Sequence, residues 1–285
     1  MIRGLDHLVL VVHDLDAAGR VYEAMGFRVG ARNRHPWGTE NRIVQFPGTF
    51  LELITVGGGA EIPPHVGTSF SFGAFVRDAQ ARGEGFAMLV LESRDAEADK
   101  AAFDAAGIGG FDRTSFSRLA KRPDGSTAHV AFSLAFARDK LAPEAGFFVC
   151  QQHYPENFWN AAFQAHPNGA TGVAGVLMVA ENPAAHAEFL TAFSGQHDLV
   201  SHSGGIAVPT PRGRIEVLTG PSLAFHTGLR LAEEPARLVA FRVAVPDVAA
   251  LAARLDAAGI AHARREGAVV VPPEAAHGTA LIFQS

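Results

Sequence analysis

One short pattern occurs four times along this 285-residue chain: an apolar strand, an Asp or Asn, a helical stretch, then a glycine. The strand segments are residues 5–12, 86–92, 173–179 and 238–245, followed by Asp14 and Gly26, Asp95 and Gly107, Asn182 and Gly195, and Asp247 and Gly259. Cap and glycine lie 12 residues apart in three copies and 13 in the other. Each residue type has a physical role. An Asp or Asn side chain accepts from the free N–H groups of a helix's first turn. A glycine takes the left-handed conformation that ends the helix without steric cost. In the first copy Ala17, Val21 and Met25 form a stripe at four-residue spacing, which predicts the buried helix face. Two copies even end alike, with Asp-Ala-Ala-Gly-Ile at 104–108 and 256–260. Two or three further strand-like runs follow each helix, so the unit reads β-α-β-β-β. The expected fold class is therefore α+β, four βαβββ modules paired into two domains, 1–165 and 166–285.

The later strands of each unit are placed by turn signals. In the first unit they are 27–34, 41–46 and 49–55, with Pro47-Gly48 as the last turn. Residues 57–84 form a connector with a helical piece around 75–82. The second unit has a hairpin signal at Arg122-Pro123-Asp124-Gly125-Ser126 and ends in the apolar run 146–150. Residues 154–172 form a linker. The third unit continues through 205–208 and 213–218, and the fourth through 268–271 and 279–283.

Composition excludes several function classes. A net charge of −5, a pI near 6.2 and the lack of any Lys/Arg run argue against a nucleic-acid surface. No apolar run reaches the roughly 18 residues of a membrane span. The chain enters a strand at once, with no secretory signal pattern, and its one cysteine, Cys150, fits a reducing compartment. A cytoplasmic protein acting on a small molecule is the expectation. Phosphate-binding loops, dinucleotide fingerprints and nucleophile elbows are missing from the sequence.

Three stretches carry a family likeness: Leu5-Asp6-His7-Leu8-Val9-Leu10-Val11-Val12-His13-Asp14-Leu15, then Gly26-Phe27, then Phe50-Leu51-Glu52-Leu53-Ile54. Together they resemble the vicinal oxygen chelate superfamily, which contains glyoxalase I and the extradiol dioxygenases. His35-Pro36-Trp37-Gly38-Thr39-Glu40-Asn41, residues 147–159 and His166-Pro167-Asn168-Gly169-Ala170 are similar to its glyoxalase-like branch. The resemblance implies that paired units form a cup, with metal ligands on the first and last strands of each unit. It says little about the reaction, because the fold hosts isomerases, dioxygenases, epimerases, thiol transferases and metal-free binding proteins.

The repeat allows each position to be compared with its internal equivalents. Counting back seven residues from each cap gives His7, Met88, Gly175 and Ala240. The fourth-strand equivalents are Glu52, the 150–153 region, Glu216 and about Ile282. Only the first unit supplies both a His and a Glu. With the resemblance, His7 and Glu52 are expected to hold a divalent ion (Zn, Ni, Mn or Fe(II)), with Glu52 also able to shuttle a proton. The alternative is a strand-end histidine and a carboxylate facing solvent. Met88 departs from the usual ligand type, so a third ligand is expected from Gln151, Gln152 or His153, with His153 the best donor. Substrate contacts are expected from His35, Trp37, Thr39, Asn41 and Gln151. His166 and Asn168 are read as shaping a Pro-Asn-Gly turn. Arg113, Arg118, Lys121 and Arg122 are read as a solvated basic strand face, with carboxylate binding as the minority reading. Glu216 faces Gly175 and Ala240, which implies a second pair without metal. Two functional readings stay open: a metalloenzyme acting on an oxygen-chelating substrate, and a metal-free cup for a small hydrophobic ligand. Pairing of domains within the chain or across a homodimer is also open.

Overall fold

The computed structural model describes residues 1–121 and 125–285, excepting the side chains of 120 and 121. The hairpin expected at 122–126 thus lies largely outside the described residues. Two curled eight-stranded sheets are present. The first contains β1 (Leu5–Val11), β2 (Asn33–Arg34), β3 (Thr39–Phe46), β4 (Thr49–Val56), β5 (Gly85–Glu92), β6 (Thr114–Lys121), β7 (Thr127–Ala137) and β8 (Gly146–Gln152), in the order β2-β3-β4-β1-β5-β8-β7-β6. The second contains β9 (Gly172–Val179), β10 (Val200–His202), β11 (Gly205–Pro209), β12 (Arg214–Leu218), β13 (Arg237–Ala244), β14 (Ala263–Arg265), β15 (Ala268–Val271) and β16 (Ala280–Gln284). Its order, β10-β11-β12-β9-β13-β16-β15-β14, repeats that of the first. The four modules therefore pair one with two and three with four within the chain.

The helices are α1 (Leu15–Ala24), α2 (Phe72–Arg82), α3 (Ala96–Ala105), α4 (Pro155–Phe158), α5 (Ala161–Gln164), α6 (Ala187–Ser194), α7 (Gly220–Thr227) and α8 (Val248–Ala257). Asp14, Asp95 and Asp247 each accept from first-turn backbone N–H groups, as expected. Asn182 makes no such bond, because a 3-10 turn (Pro183–His186) precedes α6. Gly26, Gly107, Gly195 and Gly259 all have φ between 67° and 89°, the left-handed region that a glycine enters freely. The buried face of α1 is rotated from the expected stripe. Leu15, Ala18, Tyr22 and Met25 are buried, while Ala17 and Val21 are half-buried. The Tyr22 ring, packed 5.9 Å from Phe27, sets the phase that aliphatic spacing alone misjudges. The 154–172 linker also contains two unexpected helical turns, α4 and α5.

Central pairing is antiparallel, β1 on β5 and β9 on β13, and its register reveals the internal symmetry. Val9 faces Met88 while His7 faces Val90. Leu177 faces Ala240 while Gly175 faces Arg242. Those reciprocal pairs are what a two-fold relation of His7 to Met88 and of Gly175 to Ala240 requires. Beside each equivalent position the register slips by one residue, a β-bulge, between Leu5 and His7 and again where Ala87 opposes β1. Parallel pairing of β1 with β4 and β5 with β8 aligns Val9 with Glu52 and Val90 with Phe148. Phe148, rather than the 150–153 region, is thus the true equivalent of Glu52.

One face of each sheet carries helices, and these two faces share a single apolar core containing Leu5, Leu8, Leu10 and residues of all four modules. Phe27 stacks on Phe283 at 5.9 Å, and Phe147 meets Phe189 at 4.7 Å. The opposite faces each enclose a separate cluster. Two buried polar pairs cross between modules. Arg3 binds Asp99 at 2.5 Å and donates to the Phe193 carbonyl at 2.9 Å, and His186 Nδ1 lies 2.6 Å from Asp139. Truncating Asp99 would strand the Arg3 charge in the core. Asp99→Ala is expected to lower unfolding stability by about 3 kcal/mol, measured by chemical denaturation.

Candidate functional site

The curl of the first sheet encloses a tight cavity of about 50 Å³, room for a few waters or the head of a small ligand. Its walls are mainly aromatic: Trp37, Phe50, Phe72, Phe116, Phe132, Phe148 and Phe158. Its polar lining is His7, His35, Asn41, Glu52 and Arg118, with Cys150 beside them. The strand pleat explains this set. Leu51 and Leu53 enter the shared core, so Glu52 between them points into the cup.

Each polar group is held from behind. His7 Nδ1 donates to Asp6 Oδ1 at 2.6 Å, since a carboxylate only accepts, and this leaves Nε2 free. The Asp6 Oδ2 in turn accepts from Gln152 at 3.1 Å. The His7 ring stacks on Phe50 at 4.3 Å. His35 stacks on Trp37 at 4.8 Å, with its Nδ1 on the Thr39 hydroxyl at 2.8 Å. The Asn41 amide donates to Glu52 Oε1 and lies 3.4 Å from His35 Nε2. Glu52 is therefore flanked by two imidazole Nε2 atoms, that of His35 at 3.6 Å and that of His7 at 4.0 Å. The two imidazoles approach different oxygens of Glu52, and the donor atoms of the three residues do not all fall within 4.8 Å of one another, so gathering them on one ion would take side-chain rearrangement.

Among the described residues, Asp6, His7 and Cys150 do offer donor atoms within 4.8 Å of one another. There the Asp6–His7 hydrogen bond occupies both partners. Burial, with Asp6 and Glu52 nearby, raises the Cys150 thiol well above its ordinary pKa and keeps it protonated. That trio fits a support for His7 better than a metal centre.

Two expected site residues lie elsewhere. His153 follows the end of β8, and its Nε2 binds the Ser133 hydroxyl at 2.8 Å. Ser133 also receives Arg113 at 3.0 Å, on the face opposite Phe132 and Leu134 of the cup. Gln151 braces the start of α3, accepting from the Ala96 N–H and donating to the Arg94 carbonyl. Alternation along β8 sends Phe148 and Cys150 into the cup and Gln151 away from it. His153 as third ligand is thus corrected. Met88 offers no replacement; it packs over Gly146, where an added Cβ would sit 2.6 Å from its Cγ. Thr39 supports His35 without lining the cavity. His166 accepts the Arg28 N–H at 3.0 Å and bonds the Gln45 carbonyl at 2.8 Å, while Asn168 bonds the Met25 carbonyl, in line with structural roles.

Two site residues escape the sequence reading. Asp6 lies in the bulge, which turns it with His7 toward the cup; simple alternation sends it to the other face. Arg118 lines the cavity instead of facing solvent, because β6 curls over toward β2, where its Nη1 lies 3.4 Å from Asn33 Oδ1. In the second sheet Glu216, the equivalent of Glu52, pairs with Arg242 at 2.7 Å and with Arg214 at 3.2 Å.

The sequence matches the family described as "Glyoxalase-like domain" over residues 5–193. The chain belongs to the glyoxalase-like domain family. It is a member of the vicinal oxygen chelate superfamily, and several solved structures share its fold. A hypothetical protein from Staphylococcus aureus superposes with TM-score 0.67 at 12% identity, covering 99% of each chain. A mutant 4-hydroxymandelate synthase from Streptomyces coelicolor gives 0.54 at 13% identity, over 93% of this chain and 78% of that one. A xylose isomerase-like TIM barrel/4-hydroxyphenylpyruvate dioxygenase fusion protein gives 0.55 at 12% identity, over 100% of this chain and 49% of that one. At such identities the likeness is one of fold. Comparison with curated proteins gives no match.

Burial lowers the His35 pKa below its ordinary 6.5, with Arg118 and His7 acting in the same direction and Glu52 opposing them. Below about pH 6.5 the unfolded chain takes up a proton that folded His35 resists, so this histidine makes stability fall as pH falls. Thermal melts from pH 7.5 to 5.5 are expected to show a smaller loss for His35→Gln than for the wild type. Equal losses in the two proteins would refute this.

Proposed function

We propose that the first cup is the reaction site for a small oxygen-bearing substrate, and that His7, His35 and Glu52 hold a divalent metal ion there. One observation carries this reading: both imidazoles have their Nδ1 atoms on outside partners, which turns both Nε2 atoms toward one buried carboxylate, that of His35 with the Asn41 amide beside it. Metal-binding histidines characteristically have such a partner behind them. Two imidazoles and a carboxylate suit Fe(II), Mn, Ni or Zn. When bound, the ion supplies Lewis-acid polarisation of substrate oxygens.

The chain's own groups divide the remaining work. Asp6 fixes the tautomer and direction of His7. Asn41 orients Glu52, whose other oxygen is left to take a proton from, or return it to, a substrate atom in the cavity. The aromatic walls orient an apolar body and exclude water. Every lining residue lies between His7 and Phe158 of one chain, so no second copy is needed to build the site. A free, buried Cys150 supports a cytoplasmic location. Met88, at the two-fold equivalent of His7, favours the second reading, a metal-free cup that binds a small apolar ligand.

Elemental mass spectrometry of protein purified without chelator separates the two. The expected result is about one equivalent of Fe, Mn, Ni or Zn, lost in His7→Ala and Glu52→Ala, reduced in His35→Ala and retained in His153→Ala. Failure to retain any of the four ions after incubation and desalting would overturn the metal reading.

A further inference from the structure

We propose that the ligand of the first cup carries a carboxylate, received by the Arg118 guanidinium and the Trp37 indole N–H. The inference rests on reading this cup as a small-molecule site. Among the described residues Arg118 is the only Lys or Arg side chain lining the cavity. Among the described residues no carboxylate lies within ion-pair distance of it, and its one hydrogen bond is the 3.4 Å contact to the neutral Asn33. Its Nε–H is buried with no acceptor among the described residues, and the same holds for Trp37 Nε1–H. Leaving a buried donor unsatisfied forfeits its hydration with nothing in return, and the loss is greater for a charged group. Two such donors in one apolar cavity are costly unless something arrives to accept from both.

They also lie on the same wall. Trp37 meets Phe116 edge-on at 4.7 Å, and Phe116 precedes Arg118 by two residues on the same face of β6. The second cup provides a contrast, for there Arg242 is neutralised at 2.7 Å by Glu216. The first cup holds its cation apart from Glu52 with the cavity's aromatic lining around it. A single guanidinium matches a two-oxygen monoanion in bidentate fashion. A phosphate dianion would need further cationic donors, which the lining lacks. The cavity of about 50 Å³ takes the carboxylate head and its aromatic rim favours an apolar, flat body behind it, so the ligand class is a small arylcarboxylate.

The test is calorimetric titration of the full-length protein as purified with benzoate, phenylacetate and 3-phenylpropionate, each beside its neutral amide. For at least one pair the acid is expected to bind about tenfold or more tightly than the amide, the scale of one charged hydrogen bond. Arg118→Gln is expected to abolish that preference and Arg118→Lys to keep part of it. Asn33→Ala, which removes the tie between the two sheet edges together with the Asn33 contacts to the Asn41 and Ala31 oxygens but keeps the Arg118 guanidinium, is expected to leave the preference intact. If Arg118 is merely a latch, Arg118→Gln lowers the melting temperature but leaves the acid-to-amide ratio unchanged. That result, or amides binding the wild type as well as acids, or no binding by any acid, would overturn the proposal. Amide binding without acid preference would refute the carboxylate while leaving the cup as a ligand site. Metal content, measured on the same samples, reports separately on the metal reading.

Discussion

The antiparallel pairing of β1 with β5 fixes the position of each group in the first cup. It puts His7 opposite Val90 and Met88 opposite Val9, so one module's ligand-type position is mirrored by a thioether in the other. The bulge beside it matters as much. By admitting an extra residue it turns Asp6 and His7 toward the same side, and a carboxylate comes to hold the imidazole's outer nitrogen at 2.6 Å. Without the slip Asp6 would enter the apolar core among Leu5 and Leu8, where an unpaired charge is not tolerated.

Much of the fold is legible in the sequence because local chemistry writes it. Asp14, Asp95 and Asp247 can satisfy free helix N–H groups wherever they stand, and the four glycines occupy backbone conformations that other residues resist. His7 and Glu52 are legible for a different reason: internal repetition exposes them as the odd members of their sets. Their neighbours Asn41, Trp37 and His35 follow from proximity along the chain. What stays hidden depends on long-range geometry. Asp6 requires knowledge of a one-residue slip between strands far apart in sequence. Arg118 requires knowing that β6 curls back toward β2, which no spacing records. His153 misleads because a good donor lies near the end of the right strand but beyond the pleat that faces the cup.

The two cups show how one scaffold diverges through a few side chains. Both retain a glutamate on the strand parallel to the central pair. In the second sheet that glutamate is flanked by Arg242 and Arg214, with an aliphatic cluster of Leu177, Leu218, Val239 and Ile282 on the same face. In the first, the glutamate is flanked by imidazoles and surrounded by rings. Pairing with arginines and aliphatic filling suit a structural role, whereas a buried carboxylate with no Lys or Arg partner among the described residues, set in an aromatic shell, costs stability.

The shared core between the helix-bearing faces has a consequence for how such a chain can be cut or recombined. Phe27 leans on Phe283, Phe147 on Phe189, and Phe103 on Phe193, so each half supplies apolar surface that the other covers. A fragment ending near residue 165 would hold every cup residue and still expose that wall to water, an invitation to aggregate. The half that holds the candidate site thus contains all of its lining residues but not the surface that keeps them in solution. Any lineage that shed modules three and four would first have had to find another surface to lie against.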